Sequence, residues 1–338
     1  MRRGPGGDNP DTVPIGIEAG RMDLATSLRP CPVPLLIAHD ADPTGRPREL
    51  PGQIRVRRGV YVPVAPWRAL APWDRYLTRV HAVAAVRPNS VFCLESAAAL
   101  CGLPLFGEPR NIHVYDPVAA RSTTFGDIAV HTSRTPRIVS RHGDNDVVGV
   151  ADTVVDLARV LPPAFALATL DAAIGPGSAA HLTLDTIADR LACRADGSRG
   201  TRRARWAIDK AEGRAESVGE SVSRAVIDWL GYPPPTLQRT FRFEGVEDRV
   251  DFFWEEYGVA GESDGYGKYS ADAVASVIGE KRREDRLRRH LIGFARWDWT
   301  DAMRADPLDR SLAAAGLRPE RARQHGMLAT LRRNPRSL

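Results

Sequence analysis

Between Glu216 and Asp301 the spacing of apolar residues changes period in a fixed order, and this limits what the chain can fold into more than any other feature. In "AEGRAESVGESVSRAVIDWLGYPPP", Val218, Val222, Ala225, Val226 and Trp229 recur at helical spacing, while Glu216, Glu220 and Arg224 stack at i, i+4 and i+8. Gly231 and the prolines behind it end that helix. Alternation of period two takes over in "TLQRTFRF" and "RVDFFW"; "EEYG" is a turn and "VAGESDG" returns as the next strand. "VIGEKRREDRLRRHLIG" resumes the helical period, and "FARWDW" is a strand packing back onto the sheet. The order is helix, three strands, helix, strand.

Upstream the signals are those of an α+β region. Residues 1–50 are rich in Pro and Gly and show little periodicity, so this segment is expected to be loosely ordered. "QIRVRRGVYVPV" alternates Ile54, Val56 and Val60 against Arg55 and Arg57, with Gly59 as a turn or bulge. It reads as a basic strand or hairpin, either the wing of a DNA-binding module or a half-buried strand with a solvated arginine face. Trp73, Leu77, Val80, Val83 and Ala84 mark an amphipathic helix that starts near Pro72 and stops before Pro88. "SVFCLESAAALCGLPLFG" gives a short helix ending at Gly102, and "NIHVYD" and "DIAVHTSR" are two strands bridged by a Ser/Thr/Gly loop. "ADTVVDLARVLPPAFALATLDAAI" and "TLDTIADRLA" read as packed helices, and "CRADGSRGTRRARW" as a joint before the next unit.

Composition narrows the class. The chain has 338 residues and 43% hydrophobic content, enough for ordinary cores in about two domains. Apolar runs such as "PVPLLIA" are far shorter than the roughly 18 to 20 residues of a membrane span. The start "MRRGPGGDNPDTVP" leads into no apolar segment, so a cytoplasmic protein is expected. Cys31, Cys93, Cys101 and Cys193 lack paired spacing, which argues against a disulfide framework or a zinc site. A net charge of +5 suits an anionic partner only weakly, because arginine dominates throughout: Lys210, Lys268 and Lys281 are the only lysines among 47 basic residues.

Lys268 therefore draws notice, four residues past an acidic cluster. Glu262 and Asp264 lie two apart on the third strand and share a face, and Asp251 on the preceding strand can meet them. Three carboxylates gathered in a dry environment repel one another unless a hard divalent cation such as Mg²⁺ holds them. A lysine beside such a site can orient an attacking water and neutralise charge developing on a phosphate. The same residues also read as solvated strand-end acids with Lys268 as their surface counter-ion. "GYGK" is not a phosphate loop, since the glycine and hydroxyl positions of that motif are Glu262 and Tyr269 here.

Taken together, "ESVGESVSR", "RVDFFW", "GESDGYGKY", "EKRREDRLR" and "ARWDWTD", over about 205–303, resemble the PD-(D/E)XK restriction-endonuclease-like superfamily, in its branch similar to very-short-patch-repair endonucleases. The resemblance implies an α/β restriction-endonuclease-like C-terminal domain with a mixed central sheet flanked by helices. It also implies Mg²⁺, or Mn²⁺ in its place, held by Asp251 and Glu262, with Asp264 as a third carboxylate, Glu220 or Glu216 as a first-helix carboxylate, and Lys268 as the basic residue. In the family's common pattern the lysine stands two residues after the Glu, a position that Asp264 occupies here, and Ser263 replaces a bulky apolar residue. Arg282, Arg283 and Arg286 on the second helix are candidates to touch a DNA backbone, as are Arg55 and Arg57 upstream; a solvated charged face is the plainer reading of both groups.

"RRGVYVPV", "ESAAALCGLPLFG", "IHVYDP" and "DTVVDLARVLP", within 51–200, resemble the AbiEi-type antitoxin and transcriptional-regulator family. That resemblance implies a winged helix over 16–50, where this chain is interrupted by prolines. The tail 304–338 is basic. The expected function is a metal-dependent DNA endonuclease in phage defence or DNA repair; the alternative is a non-catalytic DNA-binding regulator or antitoxin with a cognate toxin or partner protein.

Overall fold

The computed structural model describes residues 28–38, 50–142, 145–194, 199–264, 273–332 and 334–338. Most of the stretch expected as a winged helix, 16–50, lies outside them. The predicted arginine-rich hairpin is present within a small antiparallel sheet of β1 (Leu36–Ile37), β2 (Gln53–Arg57) and β3 (Val60–Pro63), ordered β1-β3-β2. Gly59 makes the turn at φ +74, and the register shifts between Arg55 and Arg57, which breaks the alternation read from sequence.

After α1 (Val64–Ala69) comes the predicted amphipathic helix, α2 (Pro72–Val86), with Pro72 in its first turn. It lies near a sheet built from β4 (Val91–Phe92), β5 (Ile112–Tyr115), β6 (Thr123–Phe125), β7 (Ile128–His131), β8 (Val139–His142) and β9 (Asn145–Val148), while α3 (Leu94–Leu100) follows β4. The order is β6-β7-β5-β4-β9-β8. The Ser/Thr/Gly loop of the sequence reading contains β6, and β5 pairs with β7 in parallel, not as a hairpin.

Four helices follow: α4 (Val150–Val160), α5 (Pro163–Ile174), α6 (Leu184–Ala192) and α7 (Thr201–Lys210). The last corrects the expectation of a joint, because Ala204 and Ala207 are buried and Trp206 packs 5.5 Å from Trp229. α8 (Val218–Leu230) is the helix predicted from 218–230. The Ser217 side chain accepts from the Glu220 N–H at its start, and Gly231 adopts φ +91 at its end.

A second sheet follows, containing β10 (Thr236–Phe243), β11 (Val246–Trp254) and β12 (Val259–Asp264); α9 (Ala273–His290) then leads to β13 (Gly293–Asp298). The order is β10-β11-β12-β13, antiparallel except for the parallel pair β12 and β13. It is a mixed sheet flanked by helices. Trp254, Val259 and Trp297 join the core on the α8 side, where the Trp297 indole donates to Ser223 at 2.8 Å. Val250, Ala260, Phe294 and Leu287 of α9 close the other side.

Gly261 is where this packing is tightest. A Cβ there would lie 2.7 Å from Trp297 and 3.0 Å from Trp254. Gly261→Val is expected to lower stability by about 1–3 kcal/mol through overpacking, read as a lower urea midpoint at unchanged slope.

The core does not divide at residues 200–205. One cluster of buried side chains runs from Cys93 through α4, α5 and α8 to Trp297 and Leu331. Residues 304–338 are likewise packed and not a loose basic tail: after α10 (Trp299–Arg304), α11 (Asp306–Ala314) buries Leu308 and Leu312, and α12 (His325–Leu328) follows. Asn334 and Leu338 bond the backbone carbonyls of Phe106 and Glu108, and Arg336 pairs with Glu95. No helix among the described residues is long and apolar enough to cross a membrane.

Candidate active site

The ladder between β11 and β12 runs from Trp254↔Val259 to Phe252↔Gly261, and the next residues on the two strands are Asp251 and Glu262. Both acids thus stand where the paired ladder ends. Asp251 accepts the Ser263 N–H at 2.9 Å. Glu220, in the first turn of α8, approaches from the other side; its carboxylate accepts from the Glu216 N–H at 2.9 Å and from the Gln238 amide at 2.8 Å. Gln238 also acts on Asp251, favouring its ionised form, so one amide serves both acids.

Sequence reasoning missed Gln238. It is a neutral residue on a strand, opposite Asp251 in the β10–β11 register, and nothing in the local pattern marks it. Its backbone does: φ is +54, a left-handed conformation that a non-glycine residue in a strand adopts at a cost of about 1–3 kcal/mol and that clusters at functional sites.

Burial raises Glu262 to about 7, with the charge of Asp251 adding to the effect and Arg283 opposing it. Burial also raises Asp251 and Glu220, and Asp251 adds to the latter. All three acids are thus held above their ordinary values, by burial first and by a neighbouring carboxylate second.

Asp264 is placed differently. It lies on the Glu262 face of β12, but Arg296 of β13 binds it at 2.7 Å and extends to Glu280 and Glu284 as well. One guanidinium thus spans the Glu280–Glu284 pair, which would otherwise repel at i, i+4. Glu216 stands just before α8 and pairs with Arg249 at 2.6 Å. Lys268 lies outside the described residues.

Two of the five arginines of α9, Arg283 and Arg286, turn toward the sheet, and the other three are exposed. Arg283 makes a bidentate pair with Glu262 at 2.6 and 3.3 Å, and Arg286 another with Asp248 at 2.6 and 2.7 Å. Arg282 is exposed. Arg289 reaches across to Glu244 at 2.8 Å, although Asp285 stands four residues before it on the same helix. Upstream, Arg57 pairs with Asp127, and Arg55 is exposed. Ser263 has a packing role that its small size permits: a Cβ on Gly219 of α8 would lie 3.2 Å from its Oγ, so two small residues let the helix approach the strand.

Among the described residues no three acids, histidines or cysteines converge closely enough to chelate an ion as they are placed. By donor type, Glu220, Asp251 and Glu262 fit a hard divalent cation, since all offer carboxylate oxygens. Arg283 supplies the positive charge that the cluster needs in this arrangement.

The fold and site define a mixed α/β protein with a partly buried group of carboxylates at the end of a strand ladder. Two proteins of Mycobacterium tuberculosis are similar to it: uncharacterized protein MT2308 of strain CDC 1551 / Oshkosh and uncharacterized protein Rv2248 of strain ATCC 25618 / H37Rv. Each is 35% identical over 215 residues, which cover 62% of this chain and 73% of the relative. The chain belongs to the family of these mycobacterial proteins. No protein-family model matches it, and no solved structure matches it.

Proposed function

We propose that the chain is a metal-dependent DNA endonuclease-like protein whose C-terminal part has the PD-(D/E)XK restriction-endonuclease-like fold. The observation that carries this reading is the placement of Asp251 and Glu262 side by side where the β11–β12 ladder ends, with Glu220 of α8 acting electrostatically on the same site, in a unit with helix, three strands, helix and strand in that order. In this reading Asp251 and Glu262 hold Mg²⁺, or Mn²⁺ in its place, with Glu220 behind them and Asp264 as a further acid once Arg296 releases it. The ion would polarise a phosphoryl oxygen of the scissile diester. Lys268 is assigned the orientation of the attacking water, and Gln238 holds Glu220 and Asp251 in register. Arg282, Arg283 and Arg286 on α9 and Arg55 and Arg57 upstream remain the candidates to meet a DNA backbone, with Arg282 exposed. The proposed setting is the cytoplasm, in phage defence or DNA repair.

A second reading is a non-catalytic DNA-binding regulator or antitoxin with a protein partner. The seating of Arg283 on Glu262 favours it, because an arginine is a permanent substitute for a metal charge.

The test is cleavage of supercoiled and mismatched DNA with Mg²⁺ or Mn²⁺ at several salt concentrations. Wild type is expected to cut, and Asp251→Asn and Glu262→Gln to lose about 10²-fold or more in rate while keeping their thermal transitions. Salt-sensitive DNA binding by a folded wild type that does not cut would establish the regulator reading.

A further inference from the structure

Away from the carboxylates, a cavity of about 500 Å³ opens where β5, β7, α4, the start of α7 and the C-terminal segment meet. Its charge is one-sided: Arg137, Arg159, Arg199, Arg203 and Arg336 line it against a single acid, Asp156. Asp156 is already held by Arg137 at 2.7 and 3.0 Å, and Arg336 is held by Glu95 behind the wall. Among the described residues neither Arg199 nor Arg203 is paired with a carboxylate.

The basic side chains are fixed by backbone. Arg159 donates twice to the Arg199 carbonyl, at 3.2 and 3.0 Å, and Arg203 donates to the Leu161 carbonyl at 3.0 Å. Such bonds orient a guanidinium without neutralising it; Arg159 has in addition a long ion pair with Asp156 at 3.8 Å, an acid that Arg137 already holds. Burial lowers Arg159 below its usual range; Asp156 opposes the shift, and Arg194 and Arg137 add to it.

The N-terminus of α7 adds to the same field. Gly200 caps it at φ +84, and a Cβ there would lie 2.1 Å from the Arg159 carbonyl oxygen, so only glycine lets the helix start against this wall. Leu94, Tyr115 and Val160 add apolar and aromatic lining, and Thr132 and Ser133 add hydroxyls.

We infer that this cavity binds a phosphate monoester carried on a mononucleotide-sized organic group, with the arginines and the α7 start on the phosphate and the Leu94–Tyr115–Val160 wall on the organic part. The volume lies within the range of small-molecule sites, and the excess of guanidinium groups matches a dianion better than a carboxylate. The monoester can belong to a free nucleotide or to the end of a nucleic-acid strand. The inference is independent of the nuclease reading.

The test is calorimetric titration of the full chain with adenosine 5′-monophosphate, inorganic phosphate and adenosine. Saturable binding of the monophosphate is expected, with weaker binding of phosphate and none of adenosine. Arg199→Glu, an exposed position whose replacement leaves the core intact, and Arg203→Ala should each weaken it by at least about tenfold, while Asp251→Asn leaves it unchanged. A 5′-phosphorylated oligonucleotide that binds when its unphosphorylated form does not would place the monoester at a strand end. Absence of saturable binding by both the monophosphate and the phosphorylated oligonucleotide, equal affinity in Arg199→Glu, or loss of binding in Asp251→Asn would overturn the assignment.

Discussion

Replacing Asp152 by alanine is expected to destabilise the protein by about 3–5 kcal/mol, the range for removing one partner of a buried ion pair. Asp152 is 1% exposed at the start of α4. Its carboxylate accepts from the Ile138 N–H at 2.9 Å and from both Arg190 and Arg194 at 2.7 Å. Arg194 is buried as well, and among the described residues its Nε and Nη1 have no hydrogen-bond partner and Asp156 at 3.5 Å is its one other acid. Asp152→Asn keeps an acceptor for Ile138 but removes the charge, and should fall between wild type and alanine. Urea unfolding followed by circular dichroism measures all three.

Arg336→Ala is the second large effect, again about 3–5 kcal/mol near neutral pH, because it strands the Glu95 carboxylate in the interior. Burial works to raise Glu95, yet the Arg336 guanidinium and His113 bring it below its ordinary value. His113 is itself pushed down to about 4, chiefly by burial. Both folded-state values lie below their unfolded ones, so both groups contribute stability at neutral pH that is lost on acidification. The His113 share, on the order of 3 kcal/mol, fades as pH falls from about 6.5 to about 4. In Arg336→Ala the unpaired Glu95 should instead take up a proton readily, so the gap between variant and wild type narrows in acid. Unfolding midpoints at a series of pH values give the result, and a gap that stays constant with pH would argue that Arg336 acts through packing alone.

What the sequence revealed and what it hid follow from the range of the interactions. α8 and the strands after it were legible because their signals are local: Ser217 and Gly231 at the helix ends, alternating apolar residues in β10 and β11, and Gly258 after "EEY". The acids Asp251 and Glu262 were legible for the same reason, since strand alternation and pairing put them side by side. α7 was missed because its arginines and flanking glycines read as a linker, while its two buried alanines carry little hydrophobic signal. The parallel pairing of β5 and β7 leaves no local trace. Nor could charge pattern tell which arginines turn inward: Arg283 and Arg286 look like their exposed neighbour Arg282 until Glu262 and Asp248 are found opposite them.

The pairing of Glu95 with Arg336 joins positions 241 apart in the chain. Closing so long a loop has a large entropic cost that local contacts do not bear, so helices such as α8 and hairpins such as β10–β11 can assemble before it. A partly folded species that buries Glu95 before this contact forms carries an acid without its cation, and that species gains stability when Glu95 is protonated. Mild acid should therefore slow the last step of folding relative to the earlier ones, making the far end of the chain a timing element for the part that precedes it.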